Sequence, residues 1–282
     1  MTAEEQISKV ADFTVSKAKR QDIRYTCDSH YHDSYEIYYL SAGTRRQFVD
    51  HQIYDIRAGD LILIPRRAIH KTTAIDQNKH TRYLLSFSEE FAREVCAELG
   101  ETLLRQVFCE VKVTVPESCR EYVQDLLERI SQESMTVKAD ACSRLMVKSL
   151  VCQLFVFICR CNRKHSAGEN ADEIPEEKIQ KAAKYISDNF RRDLTLGEVA
   201  AQVYMSQTYF SKKFRKVTGL NFREYLTNVR LRAADEMLLE TRCPVSRIAE
   251  ACGFSDANYF GDVFKKHMGV SPVQYRKFKG RP

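Results

Sequence analysis

The sequence predicts an α+β protein: an N-terminal β-barrel with flanking helices, then an all-α C-terminal domain. Three observations carry this expectation. Up to about Val115 the apolar residues come in short β-branched and aromatic runs between turn residues, and from Glu117 on they recur at helical spacing. Beyond Pro175 a set of residues repeats at a period of about 50. The charge is also uneven: from Pro175 onward the chain carries 20 Lys and Arg against 12 Asp and Glu, and the remainder 24 against 26. A basic end attached to a neutral body points to a polyanion partner for that end alone.

The strand-like runs are residues 35–40, 47–49, 61–64 and 83–87. Many short strands of this kind form a barrel or a sandwich. His30, His32 and Glu36 share parity, so on one continuous strand they would project from one face, with Tyr38 beside them. The pattern H-x-H-x3-E-x6-G ends at Gly43; Gly59 to Pro65 then reads G-x5-P, and His70 follows. These stretches resemble the two motifs of the cupins, with Arg24 and Arg67 standing where those motifs have glycines. The resemblance implies that His30, His32, Glu36 and His70 could hold a divalent metal, with iron, manganese and zinc the ions such a set suits. Two other uses stay open. The side chains of His30, His32, Glu36, Tyr38 and His70 could hydrogen-bond a small polar effector, with no cofactor required, or the histidines could be satisfied core groups.

In the helical stretch that follows, Tyr122, Leu126, Leu127 and Ile130, then Leu145, Ser149, Cys152, Val156 and Cys159, fall at helical spacing. These apolar stripes exceed what a small barrel needs, so a homodimer is expected through them. Residues 150–159 form an apolar run interrupted by Gln153, well short of the ~20 residues that span a bilayer. The N-terminus, MTAEEQISKVA, has acids in place of a basic n-region and no apolar segment behind it, so no export signal is expected. That reading keeps the protein cytoplasmic, with no membrane partner. The ten cysteines are dilute and are expected as reduced thiols, Cys159 and Cys161 being a structural pair. Residues 166–175, SAGENADEIP, read as a linker.

In the basic end, Val199-Ala200, Tyr209-Phe210, Phe214, Gly219 and Tyr225 recur as Ile248-Ala249, Tyr259-Phe260, Phe264, Gly269 and Tyr275, with one residue inserted in the second copy. Thr195 with Glu198, Asn221 with Glu224 and Ser271 with Gln274 each read as a helix start. Each copy is then a short helix (residues 196–203; 245–251), a turn and a second helix (207–217; 257–267), a helix-turn-helix whose second helix can enter a DNA major groove. Phe210, Phe214 and Val217 would face inward, leaving Gln207, Thr208, Ser211, Lys212 and Arg215 outside. In the second copy Phe260 and Phe264 are core, leaving Ala257, Asn258, Gly261, Asp262 and Lys265. Asp262 is the exception, since an acid repels phosphate unless it accepts from a cytosine or pairs with Lys266.

The run IAEACGFSDANYFGDVFKKHMGVSPVQYR, together with residues 199–230, resembles the AraC/XylS family of bacterial transcription regulators. The resemblance implies that a long helix, residues 221–239, holds two recognition helices about 34 Å apart on successive grooves of double-stranded DNA. It also implies four segments: a cupin-like effector-sensing barrel (1–115), a dimerising helical pair (116–165), a linker (166–175) and a double helix-turn-helix (176–282). The protein expected is a non-enzymatic regulator, with RNA polymerase as a further partner. The competing expectation is a metal-dependent cupin enzyme fused to a DNA-binding module.

Overall fold

The structure is a computed structural model, and it describes residues 4–10, 12–20, 32–75, 79–97, 101–136, 141–165 and 177–279. The expected linker, His30, Arg24 and Cys27 lie outside the described residues. The chain divides into two compact units, 1–173 and 174–282.

Among the described residues the first unit contains nine strands: β1 (Glu4–Val10), β2 (Phe13–Arg20), β3 (Tyr35–Ala42), β4 (Thr44–Val49), β5 (Gln52–Arg57), β6 (Asp60–Ile64), β7 (His70–Thr73), β8 (His80–Phe87) and β9 (Lys112–Thr114). Every pairing is antiparallel. One sheet runs β1-β2-β8-β3-β6-β9, the other β5-β4-β7. The alternation along β3 explains how they stack. Ile37 and Tyr39 point to one face and join Leu61, Leu63, Tyr83 and Leu85. Tyr38 and Leu40 point to the other, where Ile62 and Ile64 meet Val49 and Ile56 of the second sheet. Burial on both faces is why β6 has no solvent-facing residue at all.

Among the described residues four α-helices cover the outer face: α1 (Glu89–Val95), α2 (Glu101–Val107), α3 (Arg120–Thr136) and α4 (Ala141–His165). The first two interrupt the stretch whose pattern reads as strands up to Val115. Ser88 starts α1 by accepting a hydrogen bond from the Phe91 amide, and Glu89 and Glu90 fill its first turn, where the helix dipole favours acids. On α4 the residues that reach the core are Val147, Leu150, Val151, Leu154, Phe155, Ile158, Cys159 and Cys161. The expected stripe is only partly in phase: Cys159 is buried and Cys152 packs against the core, but Leu145 and Ser149 are exposed. Apolar residues occur most of the way round this helix, so spacing alone could not choose the buried side. The stretch Cys142–Asn162 has the length and composition of a membrane span, but its core side is covered by the sheet and by α3, through Val123, Leu126, Leu127 and Ile130. Among the described residues the cysteines are free thiols.

The second unit is helical: α5 (Glu177–Asn189), α6 (Leu196–Gln202), α7 (Gln207–Thr218), α8 (Phe222–Glu240), α9 (Val245–Ala251), α10 (Ala257–Met268) and α11 (Pro272–Lys279). The sequence duplication is a structural one. Phe210 and Phe214 lie 5.1 Å apart and Phe214 meets the Tyr225 ring edge-on at 5.3 Å; Phe260, Phe264 and Tyr275 repeat this at 5.5 and 5.3 Å. Asn221 and Glu224 form a reciprocal capping box on α8, and Thr195 and Ser271 accept from the amides of Glu198 and Gln274. Both α7 and α10 end on a left-handed glycine, Gly219 (φ 84°) and Gly269 (φ 77°). The turn before α7 bends at Tyr204 (φ 54°), and the matching turn before α10 bends at Gly253 (φ 85°). A side chain at Gly253 would collide with the Phe190 carbonyl, 2.7 Å from where its Cβ would sit.

Candidate functional sites

The first site lies between the two sheets. Glu36 and Tyr38 are on β3 and His70 opens β7, all three facing inward and buried. His32 is not on the strand, as the parity argument supposed. It precedes β3 by three residues, and its carbonyl accepts from the Arg67 amide at 2.8 Å, which anchors the bend. Arg67 itself has a left-handed backbone (φ 65°), the conformation a glycine takes without strain. The bend turns the His32 ring back toward the strand. Its Nε2 lies 3.0 Å from one Glu36 oxygen, and His70 Nε2 lies 3.4 Å from the other.

The imidazole tautomers follow from the remaining contacts. His32 Nδ1 faces the Ser34 carbonyl at 3.2 Å and His70 Nδ1 faces the Ala68 carbonyl at 2.9 Å. A carbonyl can only accept, so both Nδ1 atoms donate; a neutral ring then presents its Nε2 lone pair, as a metal ligand does, and only a ring protonated on both nitrogens donates from Nε2 to Glu36. Burial pushes the Glu36 carboxyl up, but the hydrogen bonds from His32 and His70, with their charge, outweigh it and hold the group well below the usual carboxylate range. One ligand atom from each residue lies within 4.8 Å of the others. That donor set, with each Nδ1 fixed by a backbone carbonyl, fits a divalent cation as well as it fits a polar organic group.

Further along the same interior lie polar residues that the sequence did not flag. Arg45, Gln47, His80 and Arg82 are buried. Arg45 contacts the His80 ring, Gln47 accepts from Thr72 at 2.9 Å, and the Arg82 guanidinium sits 5.8 Å from the centre of the Tyr38 ring. Charged residues at alternate positions of a strand ordinarily signal the solvent face. Only the second sheet turns these positions inward.

The second site is the outer surface of the repeated helices. On α7, Gln207, Thr208, Lys212 and Arg215 are exposed and Ser211 is partly so; on α10, Ala257, Asn258, Asp262 and Lys265 are exposed and Gly261 is partly so. The opposite sides, Phe210, Phe214 and Val217, and Phe260 and Phe264, are buried. Beside the start of α7, a cleft is lined by Lys178 of α5, Tyr204, Ser206, Tyr209 and Lys213. Lys178 escaped the sequence reading because it lies outside the repeat.

A barrel with a polar interior, carried on the same chain as two helix-turn-helix units, defines a ligand-responsive, sequence-specific DNA-binding transcription regulator. Comparison with known proteins gives the family. Residues 12–155 match the AraC-like ligand binding domain, and residues 199–277 match a helix-turn-helix domain. The chain belongs to the AraC/XylS family of transcription regulators, and its role is regulation rather than catalysis.

Among its relatives, the Msm operon regulatory protein of Streptococcus mutans is 24% identical over 92% of this chain and 90% of that protein. The transcriptional activator RhaR of Mannheimia succiniciproducens is 24% identical over 88% and 86%. The crystal structure of ToxT from Vibrio cholerae O395 is 15% identical and covers 96% of this chain and 99% of that one, with a TM-score of 0.38.

Proposed function

We propose that the small-molecule effector of this regulator binds between the two sheets, contacting His32, Glu36, Tyr38 and His70, with His30 completing the set. The observation that carries this reading is a charged carboxylate held between two oriented imidazoles inside a barrel. Such a cluster can donate to and accept from the hydroxyl, amine or carbonyl groups of a small polar molecule without a cofactor. The two imidazoles aimed at one carboxylate also support a second reading, a divalent metal held by His32, Glu36 and His70, with His30 as a further ligand. Elemental analysis of chelator-free protein separates them. Stoichiometric metal that is lost in His32→Ala supports the second reading; metal-free protein whose effector response is lost in Glu36→Gln supports the first.

The DNA-contacting residues in this reading are Gln207, Thr208, Ser211, Lys212 and Arg215 on α7 and Ala257, Asn258, Asp262 and Lys265 on α10, with Lys178, Tyr204 and Lys213 holding backbone phosphate. The protein acts in the cytoplasm, where its operator and RNA polymerase are. A homodimer through α3 and α4 is supported by Tyr122, Met135, Leu145 and Met146, which stay exposed after the barrel has been covered. Selection of binding sites from a random duplex pool by the full chain tests the DNA reading, and failure to enrich any sequence overturns it. Sedimentation of the full chain without DNA tests the dimer.

A further inference from the structure

We propose that Asp262 reads a cytosine: its carboxylate accepts a hydrogen bond from cytosine N4 in the major groove, and Gly261 beside it lets the α10 backbone approach closely enough for so short a side chain to reach. This rests on the reading of α10 as a base-contacting helix.

The fold makes α7 and α10 equivalent. Both α7 and α10 have 12 residues, a capping side chain at the start and a left-handed glycine at the end. The repeat therefore aligns position by position, and chemical differences stand out against one backbone. Where α7 has Ser211, Lys212 and Lys213, α10 has Gly261, Asp262 and Val263. The outer surface of α7 is strongly cationic, with Lys212, Lys213, Arg215 and Lys216. That of α10 sets Lys265 and Lys266 against an acid. Two helices whose only task was to neutralise phosphate would not differ in this way.

Among the described residues nothing accounts for either residue. A Cβ built on Gly261 meets no atom within 4 Å, and the backbone there is not left-handed. Glycine in mid-helix weakens the helix relative to alanine, so here it is a cost without a packing return. A close approach from outside supplies the missing reason. Asp262 is exposed and, among the described residues, engages neither Lys266 one turn on nor any other side chain.

An ionised carboxylate only accepts hydrogen bonds. In the major groove guanine O6 and N7 and thymine O4 are acceptors and repel it, and adenine N6 is flanked by the acceptor N7. Cytosine N4 offers a donor with no acceptor of its own base beside it in the groove. An acid that repels phosphate but pairs with one base lowers affinity everywhere except at that base, which is specificity by exclusion.

The test is site selection from a random duplex pool by the full chain and by Asp262→Ala, Asp262→Asn and Gly261→Ala. The full chain is expected to select one cytosine that Asp262→Ala no longer prefers, discrimination there falling by roughly fivefold or more. Asp262→Asn is expected to move that preference toward adenine, which an amide reads bidentately. Asp262→Ala should also bind unselected duplex more tightly, because a charge that repels phosphate is gone. Gly261→Ala should melt at a higher temperature and yet bind the selected duplex about tenfold more weakly, through the methyl's interference with close approach. An unchanged selected sequence in Asp262→Ala overturns the proposal, including when that variant loses transcription activation, which would assign the acid to a protein partner. Undiminished binding by Gly261→Ala overturns the close approach. A wild-type chain that selects no sequence removes the underlying reading of the helices instead.

Discussion

Lys212 and Phe214 are two residues apart on α7, one exposed and one buried, and alanine at each should damage a different property. Phe214 has no exposed surface, and its ring packs on Phe210 at 5.1 Å and on Tyr225 at 5.3 Å. Truncating a buried phenylalanine to alanine costs about 3 to 5 kcal/mol. Against a domain stability of roughly 5 to 15 kcal/mol that is a large fraction, and at about 4 °C or more per kcal/mol for a domain of this size the melting midpoint should fall by at least about 12 °C. Lys212 is exposed, and Lys212→Ala should stay within about 0.5 kcal/mol of the parent in stability. Its loss should appear in DNA binding. One phosphate contact contributes about 0.9 to the slope of log affinity against log salt, so between 50 and 200 mM salt the variant should lose about threefold less affinity than the parent. Differential scanning calorimetry and fluorescence anisotropy at three salt concentrations measure both quantities. Equal destabilisation by the two variants would refute the assignment of faces. An unchanged salt slope in Lys212→Ala would remove that lysine from the phosphate contacts.

The other predictions concern single contacts. Arg144 of α4 donates to Asp12, ahead of β2, from both terminal guanidinium nitrogens, at 2.7 and 3.1 Å. The hydrogen bond from Arg144 holds the Asp12 carboxyl below its ordinary value, more than offsetting burial. A carboxyl depressed in the folded state stabilises above its ordinary pKa, and that contribution is lost as pH falls through the folded value. Asp12→Asn should therefore lower the melting point of the first unit near neutral pH by no more than a few degrees and flatten its decline below about pH 4; an unchanged acid limb would count against the linkage. Gly219→Ala forces a methyl into a left-handed backbone and should destabilise the second unit by about 1 kcal/mol, the opposite sign to Gly261→Ala, as paired thermal melts would show.

The second unit was nearly complete in the sequence. Its repeat fixed the inward aromatics, and the caps at Thr195, Asn221 and Ser271 fixed helix starts, because a cap is settled by residues three apart and a helix face by residues within two turns. Four strands, β3, β4, β6 and β8, were legible as short β-branched and aromatic runs between turns, whereas β1, β2, β5, β7 and β9 were not among the runs the sequence singled out. Tertiary structure decided what depends on partners distant in the chain. It chose the side of α4 that meets the sheet, where an all-round apolar helix offers no local preference, and it showed the first two helices within the region expected to be strands. It turned Arg45, Gln47, His80 and Arg82 inward, because only the second sheet closes over positions that an open sheet would expose. It also brought His32 to Glu36 through a bend anchored on Arg67, thirty-five residues further on, rather than through strand alternation. Periodicity and caps are short-range and are written in neighbouring residues; burial of a polar cluster is a long-range outcome of which surfaces pack together, and no stretch of neighbours specifies it.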